Sequence, residues 1–136
     1  MRSPLATNIL SIYTPKFFAT QGLKASVYDS NMATTEWANQ FHELTLLEGS
    51  RAAILSRMSS GYVRNQKPEL LKGLEIPALL IHGKEDNIIP VSSSESLVNF
   101  FQDGKLIIYD EVGHLPMYEA PEKTAKDIRE FFHNRP

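Results

Sequence analysis

Hydrophobic side chains follow two different patterns along this chain. Up to about residue 68 they recur at spacings of three and four, which predicts amphipathic helices joined by loops. From about residue 69, two short and uninterrupted apolar runs alternate with helical patterns, which predicts strand, helix, strand, helix. The sequence therefore predicts an α/β protein, with a helical segment over 1–68 and part of a parallel sheet over 69–136.

Capping residues and helix-ending glycines predict three helices in the first half. Thr14 and Pro15 are expected to open the first helix, and Gly22 is expected to end it. The second helix is expected to begin at a cap formed by Thr34 or Thr35 and to end at Gly49. The third is expected to begin at Ser50 and to end near Gly61.

The two strands of the second half are expected to be parallel neighbours. The run from Pro77 to His82 does not alternate with polar residues, so both of its faces should be covered. The second strand is predicted over 105–109, after a helix capped by one of the serines at 92–94. Pro121 is expected to begin a final amphipathic helix. Two short strands do not make a stable sheet alone, so this half is interpreted as part of a larger core.

Asp86 and His114 each follow one of these strands. Open α/β sheets place their sites at the carboxyl ends of the strands, so we expect the acid and the imidazole to meet there. A carboxylate fixes the tautomer of an imidazole, which has a reference pKa of about 6.5 and can move a proton near neutral pH. Simpler interpretations stay open, because Asp86 also suits a turn cap, His114 a surface loop, and Glu85 the role of the acid.

Composition narrows the possible classes of function. The 136 residues are 42% hydrophobic and carry a net charge of −2, which suits one globular domain and gives no basic patch for nucleic acid. Without cysteine there is no disulfide or thiolate ligand, and a cytoplasmic location is the default expectation. The histidines show no metal-binding spacing, so we expect no metal and no cofactor. His82 ends the first strand, where it suits either orientation of a site loop or, as the favoured interpretation, a purely structural role. No apolar run reaches the roughly 20 residues of a membrane span.

Two stretches together resemble the C-terminal third of the α/β-hydrolase superfamily. One runs from Ile76 to Pro90 and the other from Val112 to Glu122. In that superfamily the first motif carries the catalytic acid, three positions after a glycine, and the second carries the catalytic histidine. The resemblance covers about residues 69–135, and it implies these roles for Asp86 and His114.

The helices before residue 68 resemble, more loosely, the cap or lid of many members of this superfamily. Lids shape the substrate pocket, although packing of a helix against a core is the more common role of any single apolar residue of this kind. The resemblance implies that the pocket is lined by Phe17, Phe18, Trp37, Phe41 and Met58. The Gly-x-Ser-x-Gly turn that carries the nucleophile does not occur in the sequence.

Three hypotheses of function follow. In the first, the chain is the lid and C-terminal core of a hydrolase for an ester or similar small apolar substrate, and it is inactive alone. Its expected partners are the substrate and either the N-terminal half of the core or a second copy. In the second, the nucleophile is an aspartate, as in the dehalogenases and epoxide hydrolases of the superfamily. In the third, the chain is a non-catalytic binding or assembly module on the same scaffold.

Overall fold

A computed structural model of the chain describes residues 13, 15–59, 67–72 and 74–133. The structure divides into two compact units. One unit comprises Met1–Leu23 and Ala33–Gln66, and the other comprises Lys24–Met32 and Lys67–Pro136. Lys24–Met32 therefore belongs with the strands, and the division into domains at 68 and 69 stays a prediction.

Within the described residues, three helices are followed by a strand, a helix, a second strand and two helices. The elements are α1 (Lys16–Ser26), α2 (Thr35–Leu46), α3 (Ser50–Ser59), β1 (Pro77–Gly83), α4 (Val91–Val98), β2 (Asp103–Tyr109), α5 (Pro116–Glu119) and α6 (Pro121–His133). Short 3₁₀ turns occupy Ser30–Met32 and Pro68–Leu71. This order confirms the predicted fold class.

The helices of the first unit show where local signals succeed and fail. Thr34 caps α2, because its hydroxyl accepts a hydrogen bond from the amide of Trp37 at 3.2 Å. The prediction that Gly22 ends α1 is wrong, since the helix continues to Ser26. A glycine inside a helix costs only about 1 kcal/mol relative to alanine, so it does not stop a helix by itself. Thr14 and Gly61 lie outside the described residues.

The two strands pair in parallel, as predicted, with Pro77 opposite Asp103 and Gly83 opposite Tyr109. β2 begins at Asp103, two residues before its predicted start. The predicted serine cap of α4 is wrong, because Pro90 is the N-cap and no side chain caps this helix. Ser94 instead places its hydroxyl 2.6 Å from a ring nitrogen of His82.

Tyr109 joins the last strand to the last helix. Its ring is fully buried, and its hydroxyl donates a hydrogen bond to Asp127 of α6 at 2.6 Å. Burial, followed by the bond to Asp127, raises the pKa of Tyr109 to about 12. The start of α6 is held as well, because the hydroxyl of Thr124 donates to the carbonyl of Pro116 at 3.0 Å. No helix in the described part of the chain is long and apolar enough to cross a membrane.

The face of β1 that looks toward α6 is only partly covered. An open apolar groove of about 560 Å³ runs between this strand and the helix. Its lining consists of Leu79, Ile81, His114, Pro116, Met117, Thr124, Ile128, Phe131 and Phe132. The predicted covering of both faces of the strand is therefore incomplete on this side, within the residues that the structure describes.

Candidate active site

The loops after β1 and β2 bring Asp86 and His114 together. Nδ1 of His114 lies 2.8 Å from Oδ2 of Asp86. Because a carboxylate oxygen only accepts, Nδ1 carries the proton, and the lone pair of the neutral ring is on Nε2. The Asp86 side chain is 4% exposed and the His114 side chain is 33% exposed. A buried anion thus faces an imidazole that solvent can still reach.

Asp86 is held as a carboxylate by the turn on which it lies. Its Oδ1 accepts hydrogen bonds from the amides of Ile88 at 2.7 Å and Ile89 at 2.9 Å. Burial acts to raise the pKa of Asp86, but the hydrogen bonds from His114, Ile89 and Ile88 together outweigh it. The pKa therefore lies below its usual value of 3.8, and Asp86 is ionised at neutral pH.

Backbone hydrogen bonds tie the acid loop to the histidine loop. The amide of Lys84 donates to the carbonyl of Tyr109 at 2.8 Å, and the amide of Glu85 donates to the carbonyl of Val112 at 3.1 Å. The carboxylate of Glu85 accepts the amide of Val112 in return, at 3.2 Å. Of the two adjacent acids, Asp86 contacts the imidazole and Glu85 joins the loops.

Gly83 is required by the close approach of these two loops. A Cβ at this position would lie 2.0 Å from the carbonyl oxygen of Gly113 and 2.2 Å from that of Val112. Real Cβ atoms do not come so near to backbone oxygens, and backbone cannot yield as a flexible side chain can. Only glycine at the end of β1 lets the histidine loop pass at this distance.

Glu119 is a structural residue of the site that the sequence analysis missed. Its carboxylate accepts the amides of Tyr28 at 2.7 Å, Gly113 at 3.0 Å and Leu115 at 3.1 Å. Two of these amides flank His114, so one half-buried carboxylate fixes the loop on both sides of the imidazole. Neither spacing nor hydrophobic pattern signals this role, because its hydrogen bonds go to backbone.

The segment Ser26–Tyr28 supports the same loop from a distant part of the sequence. The carbonyl of Ser26 accepts the amide of His114 at 2.8 Å. A Cβ on Gly113 would lie 2.9 Å from backbone atoms of this segment. No sequence pattern indicates this contact, because the segment has neither helix nor strand periodicity beyond the end of α1.

The aromatic residues predicted to line a pocket lie in the other compact unit. Phe17 and Phe18 are exposed, and their rings meet edge to face at 5.9 Å. Trp37 is half-buried, and Phe41 lines a groove of about 320 Å³ between α2 and α3. The side chain of Met58 lies outside the described residues. The role of all five in substrate binding stays a prediction.

The fold is that of an α/β-hydrolase. The family model described as Serine hydrolase (FSH1) matches residues 22–124 of the sequence. This match spans more than half of the chain. The chain therefore belongs to this serine hydrolase family, within the α/β-hydrolase superfamily.

Similar proteins carry hydrolase names. The chain is 29% identical over 93 residues to a 2-hydroxy-6-oxo-6-(2'-aminophenyl)hexa-2,4-dienoic acid hydrolase from Metapseudomonas resinovorans, a match that covers 65% of this chain and 31% of that protein. It is 37% identical over 65 residues to the uncharacterized hydrolase YugF from Bacillus subtilis (strain 168), covering 48% and 24% of the two chains.

Solved structures repeat the architecture over almost the whole chain. A crystal structure of a mutant of the meta-cleavage product hydrolase CumD superposes with a TM-score of 0.78 at 26% identity, over 95% of this chain and 50% of that one. A thermophilic esterase from Thermogutta terrifontis shares the fold, with a TM-score of 0.71 at 24% identity, over 97% and 51%. The chain thus spans about half the length of these structures, and less of the curated relatives.

Proposed function

We propose that this chain supplies the acid and the histidine of an α/β-hydrolase, and that a nucleophile from outside the sequence completes the site. The observation that carries the proposal is the 2.8 Å contact between the buried carboxylate of Asp86 and the partly exposed imidazole of His114. The description of the family as serine hydrolases favours a serine over an aspartate as the nucleophile.

His114 is the proton carrier in this proposal. Its Nε2 takes the proton of the serine hydroxyl while the serine oxygen attacks the acyl carbon, and it returns that proton to the leaving alcohol. A water molecule then attacks the acyl-serine, gives its proton to Nε2, and the proton passes back to the serine oxygen as the acid leaves. Asp86 stays ionised throughout, keeps the Nδ1 proton in place and stabilises the imidazolium.

The proposed substrate is an ester or related small apolar acyl compound. The exposed aromatic residues Phe17, Phe18 and Phe41 support an apolar pocket, to which Trp37 and Met58 are proposed to contribute. An oxo-dienoic acid is a second candidate substrate, because the name of one relative specifies such a compound. A cytoplasmic location remains part of the proposal, supported by the absence of cysteine.

The N-terminal half of the hydrolase core is the proposed partner of this chain. The groove between β1 and α6 exposes aliphatic and aromatic side chains, among them Met117 and Phe132 at 55% and 69% exposure. Related structures are about twice as long as this chain, which leaves a half-core of suitable size to cover the groove. Burial of this apolar surface would drive the association.

Complementation tests the proposal. The chain is mixed with a separately produced N-terminal half of the core, association is measured by light scattering, and turnover is measured with p-nitrophenyl butyrate and with a 2-hydroxy-6-oxo-dienoic acid. We expect turnover that His114→Ala abolishes and that His133→Ala, an exposed control at the end of α6, preserves. Association without turnover of either substrate would contradict the proposal, and so would a stable dimer of this chain that excludes the other half.

A further inference from the structure

His82 is a second imidazole at the acid loop, and the proposed chemistry does not use it. The residue ends β1 and is only 7% exposed. Its Nδ1 lies 2.6 Å from the hydroxyl oxygen of Ser94. Its Nε2 lies 3.0 Å from the carbonyl oxygen of Ile89 and 3.4 Å from Oδ2 of Asp86. Both ring nitrogens therefore have partners within the protein.

The partners of His82 decide which nitrogen carries the proton of the neutral ring. A carbonyl oxygen only accepts hydrogen bonds, so Nε2 has to donate to Ile89. Nδ1 is then the acceptor, and the hydroxyl of Ser94 donates to it. Two oxygens lie near Nε2, the carbonyl oxygen of Ile89 and, farther away, a carboxylate oxygen of Asp86. Both favour the tautomer with its proton on Nε2.

This arrangement holds the turn that carries the acid through both backbone polar groups of one residue, Ile89. The amide of Ile89 donates to Oδ1 of Asp86, and the carbonyl of Ile89 accepts from His82. Ser94 belongs to α4, so the ring also links the end of β1 to the helix that follows the turn. We propose that His82, oriented by Ser94, is the positioning residue of Asp86. For its effect on rate, the inference rests on the proposed hydrolase function.

Ser94, His82 and Asp86 contain the three functional groups of a hydrolase triad, but the geometry favours positioning over nucleophilic attack. The Oδ2 atom of Asp86 already accepts from His114 at 2.8 Å, which is shorter than its 3.4 Å separation from His82. Ser94 lies within α4, whereas a hydrolase nucleophile occupies a sharp turn between a strand and a helix. Asp86 is therefore the partner that orients His114, and His82 holds the turn that carries Asp86.

The tautomer is tested first, on the full 136-residue chain labelled with ¹⁵N in its histidines. At neutral pH, the NMR spectrum is expected to show a protonated Nε2 and an unprotonated Nδ1 for His82. Assignment of the signals uses the loss of one set in His82→Phe. A proton on Nδ1 of His82 would overturn the inference, because the bond to Ser94 would then run in the opposite direction.

The positioning role is tested through the other imidazole. His82→Phe keeps an aromatic ring but removes both hydrogen bonds, and Ser94→Ala removes only the hydroxyl that orients the ring. In each variant, the ratio of Nδ1-protonated to Nε2-protonated His114 is expected to fall severalfold, by up to about tenfold, which is the effect of losing one hydrogen bond. His82→Gln, whose amide can still donate to Ile89, is expected to restore much of the ratio. Ser93→Ala, an exposed neighbour on α4, is the matched control.

The outcomes separate this inference from the proposed function. An unchanged His114 ratio in folded Ser94→Ala and His82→Phe would overturn the positioning role, whatever the enzyme does. Labelling of Ser94 by a fluorophosphonate would overturn it as well, because it would make Ser94 a nucleophile. A chain that fails in complementation but shows the expected ratios contradicts only the hydrolase function.

Discussion

Glu85 and Val112 form two hydrogen bonds with each other, one through backbone and one through the Glu85 carboxylate. The amide of Glu85 donates to the carbonyl of Val112 at 3.1 Å, and the carboxylate accepts the Val112 amide at 3.2 Å. These bonds join the loop of Asp86 to the loop of His114. Glu85 therefore supports the contact between Asp86 and His114, although its carboxylate bonds to neither side chain.

Glu85→Ala is expected to lower the free energy of unfolding by about 1–3 kcal/mol, because it leaves the amide of Val112 without its acceptor. Glu85→Gln retains an acceptor oxygen and should cost less. Urea denaturation followed by circular dichroism measures both. Glu75→Ala, an exposed position just before β1, is the control, expected to change stability by no more than about 0.5 kcal/mol. Equal losses in all three variants would contradict the bracing role.

Asp86→Asn tests the acid in the complemented enzyme. The amide keeps the shape of the side chain but no longer fixes the proton of His114 on Nδ1, so we expect kcat to fall by about 10³–10⁴-fold. Glu95→Gln, which removes a carboxylate at an exposed position on α4, is the control and should leave kcat unchanged. A loss below tenfold in Asp86→Asn would mean that another group orients the imidazole.

Stability should depend on the ionisation of Asp86 in acid. Because its pKa is lower in the folded chain than its usual value of 3.8, the folded state favours the carboxylate. The stabilisation is fully present above about pH 4 and is lost as the pH falls through the folded pKa. The difference in unfolding free energy between wild type and Asp86→Asn should therefore shrink as the pH falls below about 4. A difference that stays the same or grows below about pH 4 would contradict the depressed pKa.

Two glycines are expected to respond to alanine in opposite directions. Gly83→Ala places a methyl group against the carbonyl oxygen of Gly113, so we expect a loss of about 3 kcal/mol or more, or failure to fold. Gly22→Ala adds a methyl group inside α1, where nothing lies within 4 Å, and should raise stability by about 1 kcal/mol. Thermal unfolding of the two variants beside wild type measures the contrast.

Glu119→Ala should lower the unfolding free energy by about 2–4 kcal/mol, because three backbone amides lose a charged acceptor. The amide of Leu115 next to His114 should then exchange with solvent faster. Glu122→Ala, on the exposed side of α6, is the matched control and should stay close to wild type. Similar stabilities of the two variants would show that Glu119 does not hold the loop of His114.

The sequence predicted the parts of this structure that depend on short spacings. The apolar runs before Asp86 and His114 marked both strands, and Thr34 marked the start of α2. The same signals missed the continuation of α1 through Gly22 and the hydroxyl of Ser94, whose partner is a ring rather than a helix end. The roles of Glu119 and Ser26 were not predicted, because each forms hydrogen bonds with backbone groups that are distant in the sequence. Such contacts leave no side-chain pattern in a sequence.

The hydrogen bonds between the loop of Asp86 and the loop of His114 bear on how this chain would assemble with a partner. The hydrogen bonds described above that orient Asp86 against His114 are made within this polypeptide, among them those of Glu85, Glu119 and the carbonyl of Ser26. A partner that supplied a nucleophile, as proposed above, would not have to order these loops, because the conformational entropy of arranging the acid and the imidazole is already lost when this chain folds. Such a preorganised half-site should bind its complement with little conformational change.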